Sequence, residues 1–211
     1  MRNYKHLSFS YIWNRLKELT YQRNNKDLPW LTRDANMILS DYLSSEDIGM
    51  EFGGGRSTIW FAKRIKKLVC IEGNIRWHEI IVRMLDAKDI NNVDCRCVDA
   101  SVTQSKDIGF IIREIYVEFG VRFFDFILVD GVCRDICAFE AVSALKPGGI
   151  LIIDNVNRYL PSPSKSPHSR SHQQGPDGAL WSKFLDRVSG WRCVWTSSGV
   201  TDTAIYFKPL D

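Results

Sequence analysis

An α/β fold, with a mostly parallel sheet covered by helices on both faces, is predicted by three features of the chain. Short apolar runs recur five times, and each closes on an acidic residue: Glu51, Glu72, Asp99, Asp130 and Asp154. Segments of helical or loop character fill the intervals, so the acids fall roughly 20–30 residues apart, about one strand plus its crossover helix. The runs are nearly continuous in apolar residues rather than alternating, as strands buried on both faces require. Ligands of such sheets bind beyond the carboxyl ends of the strands, where these acids lie.

Each element has its own local reason. Tyr11 to Thr20 carries apolar residues at 12, 16 and 19, a helical stripe. Pro29-Trp30-Leu31 reads as a turn, and Thr32 can cap a second helix through Leu43. Residues 1–45 therefore form an N-terminal helical cap, and 46–211 the main domain. Within it, strands are expected at Ile48–Phe52, Leu68–Glu72, Val93–Val98, Phe124–Asp130 and Gly149–Asp154. Helical patterns fill Ser57–Lys67, Trp77–Leu85, Lys106–Phe119 and Arg134–Leu145. Lys63, Arg64, Lys66 and Lys67 read as C-terminal dipole partners of the first of these. Lys146-Pro-Gly-Gly149 reads as a helix stop and turn. After a helical stretch at Ala179–Val188, Trp191–Trp195 and Thr203–Phe207 read as a closing hairpin, bringing the count to seven strands.

Leu160 to Gly178 stands apart. It holds four prolines, five serines and two histidines with no apolar run, which predicts a loop and a candidate lid. His168 and His172 in it are candidate general bases, since imidazole titrates near neutral pH; solvated bystanders are the plainer alternative. Trp30, Trp181, Trp191 and Trp195 are core residues by default and a stacking wall by alternative.

Composition narrows the function classes. The chain has 211 residues, 45% hydrophobic and 25% charged, with a formal net charge of +3. That length suits one domain with a full core, and the mild charge is too little to argue for a nucleic-acid partner. The first thirty residues hold six Lys/Arg against two acids, a pattern usual for solvated helix faces and less often for a membrane surface or nucleic acid. Six cysteines match no zinc spacing and no disulfide scaffold. No apolar run is long enough to span a bilayer, no leader pattern is read at Met1-Arg-Asn-Tyr-Lys5, and a reducing cytoplasm is the expected compartment.

The most informative stretch is Gly49-Met-Glu-Phe-Gly-Gly-Gly-Arg-Ser-Thr58, a strand, a glycine corner and a helix start. Glycines there allow a ligand close to the backbone. The dinucleotide fingerprint needs a glycine where Thr58 stands, which speaks against a nucleotide-binding oxidoreductase. What remains is acid-x-Gly-x-Gly at Glu51, Gly53 and Gly55. An acid at that point repels pyrophosphate and suits a ligand carrying an ammonium or sulfonium charge.

On these residues, from Asp47 to Pro209, the chain resembles the class I S-adenosylmethionine-dependent methyltransferases. The resemblance implies a Rossmann-like methyltransferase fold, a seven-stranded mostly parallel sheet with an antiparallel final strand, and S-adenosylmethionine as cofactor. It places Glu51, Gly53 and Gly55 at the methionine part, Glu72 at both ribose hydroxyls, Asp99 with Ala100 at the adenine, and Asp130 at the reacting end. Ser57 stands where many members carry a third glycine, and a serine there can cap the helix. Leu128-Val-Asp-Gly131 and Gly148-Gly-Ile-Leu-Ile-Ile-Asp-Asn155 also resemble the cation-dependent catechol-type O-methyltransferases. That narrower likeness implies a magnesium ion on Asp130, Asp154 and Asn155. The family's Asp-Ala-x-Lys is Asp130-Gly-Val-Cys133 here, without the lysine, so the same residues read equally as a strand terminator or as substrate-binding groups. The implied activity is methyl transfer to an oxygen or nitrogen of a small molecule or sugar. Aminopropyl transfer on the same fold and a non-catalytic cofactor-binding member are the alternatives.

Overall fold

The computed structural model describes residues 8–99, 105–119 and 123–210. Its seven strands are β1 (Ile48–Phe52), β2 (Lys67–Glu72), β3 (Val93–Cys97), β4 (Phe124–Val129), β5 (Leu145–Asp154), β6 (Arg192–Ser197) and β7 (Asp202–Phe207). Its helices are α1 (Phe9–Asn24), α2 (Arg33–Tyr42), α3 (Arg56–Ala62), α4 (Ile75–Asp86), α5 (Ser105–Phe119), α6 (Arg134–Ala144) and α7 (Ala179–Arg187).

The strands form one sheet in the order β3-β2-β1-β4-β5-β7-β6. The first five run parallel, and β7 is antiparallel to both β5 and β6. Chain order reverses between β1 and β4, and a crevice opens at the carboxyl ends of such a pair. Strand alternation splits the core into two layers. Met50, Phe52, Ile127, Val129, Leu151 and Ile153 face α5, α6 and α7. Phe126, Leu128, Ile150 and Ile152 face α2 and α3 through Leu31, Ala35, Leu39, Trp60 and Phe61. Thus α2 belongs to the main core. No residue of α1 enters any of the three buried apolar clusters among the described residues.

Two expected boundaries move. The helix expected to run to Lys67 stops at Ala62, and Lys67 opens β2 instead. Asn92, from beyond α4, donates its amide to the carbonyls of Ala62 (2.8 Å) and Ile65 (3.0 Å), taking the acceptors that another helical turn would have used. The Lys-Pro-Gly-Gly stretch is the first part of β5 rather than a turn before it, with a register irregularity opposite Phe124–Phe126. Lys146 is held there by Asp125 at 2.8 and 2.9 Å.

Candidate functional site

The site is built where the loops after β1 and β4 meet. Gly53 has φ +88° and donates its N–H to the Ile71 carbonyl at 2.8 Å. A Cβ on Gly53 would stand 2.6 Å from the Gly131 backbone, and one on Gly131 would stand 2.9 Å from Gly53 N. The two corners therefore interlock only because both are glycine. Asp130 N–H donates to the Phe52 carbonyl at 2.9 Å and closes the junction. At Gly55 the Cβ direction is open, with only Trp77 Cζ2 at 3.9 Å. Gly131 and Trp77 were not singled out as site residues by sequence. Trp77 donates its indole N–H to the Gly54 carbonyl at 2.8 Å and so braces the same loop.

The two glutamates take different places. Glu51 is fully buried beneath the loop. Its oxygens accept from Ser57 Oγ at 2.7 Å and from Thr58 Oγ1. Burial pushes its carboxyl up to about 7, and the hydroxyl hydrogen bonds offset only part of this. Its carboxylate is therefore turned into the protein rather than toward a ligand, and it secures the first turn of α3. Ser57 serves Glu51 instead of capping; Gly55 is the N-cap, and Thr58 Oγ1 accepts the Gly55 N–H at 2.8 Å. Thr58, which breaks the dinucleotide fingerprint, is thus a structural anchor of the corner. Glu72 is buried at the end of β2. It accepts from Gly54 N–H at 3.0 Å and Asn74 N–H at 2.8 Å, which ties the end of β2 to the glycine loop.

Beyond these ends lies a narrow apolar slot of about 30 Å³, bounded by Gly53, Gly73, Val98, Ile108 and Val132. Asp99 follows β3 beside this slot and is half-buried. Ala100 lies outside the described residues.

Asp130, Asp154 and Asn155 do converge at the ends of β4 and β5, and Arg134 on the first turn of α6 reaches into the same place. Its guanidinium donates to Asp130 Oδ1 (2.8 Å) and to the carbonyls of Asp130 (2.8 Å), Gly131 (2.9 Å) and Asp154. Asp154 is buried, with Oδ1 accepting from Thr203 Oγ1 at 2.8 Å and Oδ2 from Asn155 Nδ2 at 2.7 Å. Burial raises the Asp154 carboxyl, and the neighbouring Asp130 charge adds to the rise. Burial also raises Asp130, against the pull of Arg134.

This arrangement gives the magnesium expectation no support. Asn155 turns its amide N–H₂, a donor, toward Asp154 and toward Thr201 Oγ1 at 2.7 Å. The positive charge at the strand ends is supplied by Arg134. Among the described residues no group of three or more His, Cys, Asp or Glu is arranged to hold a metal ion. A hard cation needs about six oxygen ligands, and the residues present do not fit one.

The segment 160–178 is tied down along its length. Arg170 N–H donates to the Asn157 carbonyl (2.9 Å) and Ser162 N–H to the Arg170 carbonyl (3.0 Å). Asn157 Nδ2 donates to the Pro167 carbonyl at 3.0 Å, and buried Ser166 donates to Asp202 on β7 at 2.6 Å. His168 and His172 are exposed, and neither lines the slot or the hollow beside Arg134. That hollow, of about 460 Å³, is bounded by Val132, Arg134, Asp135, Tyr159, Asp177 and Trp181. Trp181 is buried and stacks on Tyr159 with centroids 5.1 Å apart. Trp195 donates to Asp202 at 2.8 Å, a structural use, while Trp30 is exposed.

No family model and no curated protein matches the chain. Solved structures do match it. A methyltransferase-like protein from Silicibacter pomeroyi superposes with a TM-score of 0.55 at 17% identity, covering 82% of this chain and 84% of its own. An rRNA methylase from Streptococcus thermophilus gives 0.52 at 15%, covering 85% and 98%. TYW2 from M. jannaschii, in complex with AdoMet, gives 0.51 at 14%, covering 82% and 73%. At these identities the likeness is one of architecture, and it agrees with the strand order and the glycine corner: the chain has the Rossmann-like fold of the class I S-adenosylmethionine-dependent methyltransferases.

Proposed function

We propose that the chain binds S-adenosylmethionine across the ends of β1, β2 and β4 and transfers its methyl group to an oxygen or nitrogen nucleophile of a small molecule or sugar. The observation that carries this reading is Glu72, a buried strand-end carboxylate bound to the glycine loop beside the point where strand order reverses. A carboxylate so placed accepts both hydroxyls of a ribose, which gives geometric selectivity as well as energy. Gly53 and Gly55 leave room for the methionine part, and Asp99 with Ala100 serves the adenine amine. The cofactor, when bound, supplies an electrophilic methyl on a sulfonium. The chain's own task is then to hold the acceptor in line and to receive its proton.

Asp130 is the residue for that proton. Its carboxyl is partly exposed at the strand ends, and burial raises its affinity for protons while Arg134 fixes its orientation. The hollow beside Arg134, its ion-pair partner, has the size of a small-molecule pocket, ~300–1,000 Å³, which favours a small acceptor over nucleic acid.

Calorimetric titration with S-adenosylhomocysteine, S-adenosylmethionine and NADH tests the reading. The first two should bind and NADH should not; the reverse order would make the protein a nucleotide-binding oxidoreductase. Glu72→Ala should keep the fold and weaken S-adenosylhomocysteine binding at least tenfold, on the order of 1.4 kcal/mol. Unchanged affinity in the folded variant removes Glu72 from the site.

A further inference from the structure

Helix α1 is turned the wrong way round for a core helix. Amphipathic helices normally set their apolar stripe against the protein. Here Glu18 faces inward at 6% exposure, with Tyr11, Asn14, Tyr21 and Gln22 partly covered beside it. Gln22 donates to Glu18 at 3.1 Å. The outward face carries Phe9, Ile12, Trp13, Leu16 and Leu19, at helical spacing, with Phe9 83% and both Trp13 and Leu16 54% exposed. Nothing among the described residues covers this stripe.

The charges that α1 itself exposes have one sign; the exposed acids nearest the stripe are Asp27, next to Lys26, and Asp34 on α2, which shares a hollow with Trp13 and Leu16. Arg15, Lys17 and Arg23 are the exposed charged residues of α1, and its single acid is the buried Glu18. Lys17 lies over the Trp13 ring at 5.3 Å. Beyond Leu19 the stripe opens into a surface hollow of about 440 Å³ walled by Arg23, Lys26, Trp30 and Arg56, with no acid in its lining. Arg56 stacks on Trp30 at 4.9 Å. A continuous face therefore combines buried-type side chains with five cations: Arg15, Lys17, Arg23, Lys26 and Arg56.

We propose that this face docks the protein on an anionic lipid surface, with α1 lying in the plane of the interface. Its aromatic and aliphatic side chains enter the boundary of headgroups and acyl chains, and the flanking cations meet lipid phosphates. The charge pattern selects this occupant. A second copy of the chain would set basic residues against basic residues, with no exposed acid on either helix to relieve them. A nucleic acid would match the charge, but Lys17 and Arg56 already lie over the rings of Trp13 and Trp30, and Ile12, Leu16 and Leu19 give a base nothing to stack on. The helix is too short to span a bilayer, and among the described residues no helix is long and apolar enough to do so. The face runs past α1 to Arg56, at the start of α3, so docking is peripheral and one-sided.

Flotation of the full chain with vesicles tests the proposal. One set is phosphatidylcholine alone, and the other holds about one quarter phosphatidylglycerol. Binding is expected to the anionic set, weakening with added salt. Leu16→Glu, and separately Arg23→Glu with Lys26→Glu, should each reduce it roughly tenfold or more. Melting temperatures should not move, because these side chains are exposed, and S-adenosylhomocysteine binding should be unaffected. Absence of binding to anionic vesicles at low salt overturns the proposal, as does binding that Leu16→Glu leaves intact. Sedimentation equilibrium showing a dimer that Leu16→Glu breaks reassigns the face to a second copy. Tighter retention on a single-stranded RNA oligonucleotide than on the vesicles reassigns it to nucleic acid.

Discussion

Glu51 shows how a residue can be prominent in sequence and serve a different end in the fold. An acid two places before a glycine corner is plain to read. That its oxygens are spent on Ser57 and Thr58 depends on α3 folding back over β1. The raised carboxyl has a thermodynamic consequence. A group whose pKa is higher folded than unfolded stabilises the fold below its unfolded value, about 4.5, and loses that contribution as pH rises through its folded value, about 7. Glu51→Gln removes the titration. Its stability relative to the parent should therefore rise between these two pH values by up to the order of 3 kcal/mol, measured as urea midpoints across pH. A parallel pH dependence in parent and variant would place the titrating group elsewhere. Arg134 is the converse case. A lone arginine after Asp130-Gly-Val-Cys looks like any solvated charge, and its spacing of four from Asp130 was the only available signal. Its role depends on three carbonyls from two strands' ends, which no local pattern encodes.

At the scale of elements, strand centres were legible because a buried parallel strand must be apolar throughout. Their ends were not, because partners distant in sequence set them. Asn92 ends α3 from thirty residues away, and Asp125 draws Lys146 into β5 while accepting the Ile48 N–H at 2.8 Å. The junction of the β1 and β4 corners makes a sharper claim. Gly131→Ala would force a methyl within 2.9 Å of Gly53 N and 3.0 Å of the Phe52 carbonyl carbon, both backbone atoms that cannot swing away. The variant should lose about 1–3 kcal/mol of stability and most of its affinity for S-adenosylhomocysteine, read by thermal unfolding with and without ligand. Full affinity would mean the two corners need not touch. The prolines and serines of the loop 160–178 point to a candidate lid. Those same serines give it anchors: Ser166 reaches Asp202, and Ser162, Ser164 and Ser169 close local turns. Short polar side chains signal a loop, but not whether their hydrogen bonds point to solvent or to the body.

Across the whole molecule, six free cysteines sort by burial. Cys70 and Cys137 are buried, whereas Cys97 and Cys193 are exposed. Thiol titration of the native protein should modify Cys97 well ahead of Cys70 and Cys137, which become reactive on unfolding, with Cys193 slower than Cys97 because burial pushes its thiol up to about 11; equal rates at all sites would contradict this packing. The sequence by itself determined the fold class, the glycine corner and the five strand-end acids. These rest on periodicity, on backbone conformations that favour glycine, and on the near-certainty that a continuous apolar run is buried. It also carried the charge excess of the first thirty residues without saying which way α1 faces. Tertiary structure alone decided the strand order, the closing of the Asp130–Asp154 pair by Arg134, the inward turn of Glu51 and the outward turn of the apolar stripe on α1. Each of those depends on which surfaces meet. A helix presents the same pattern of side chains whichever face it turns to the body, so the choice is made by long-range packing.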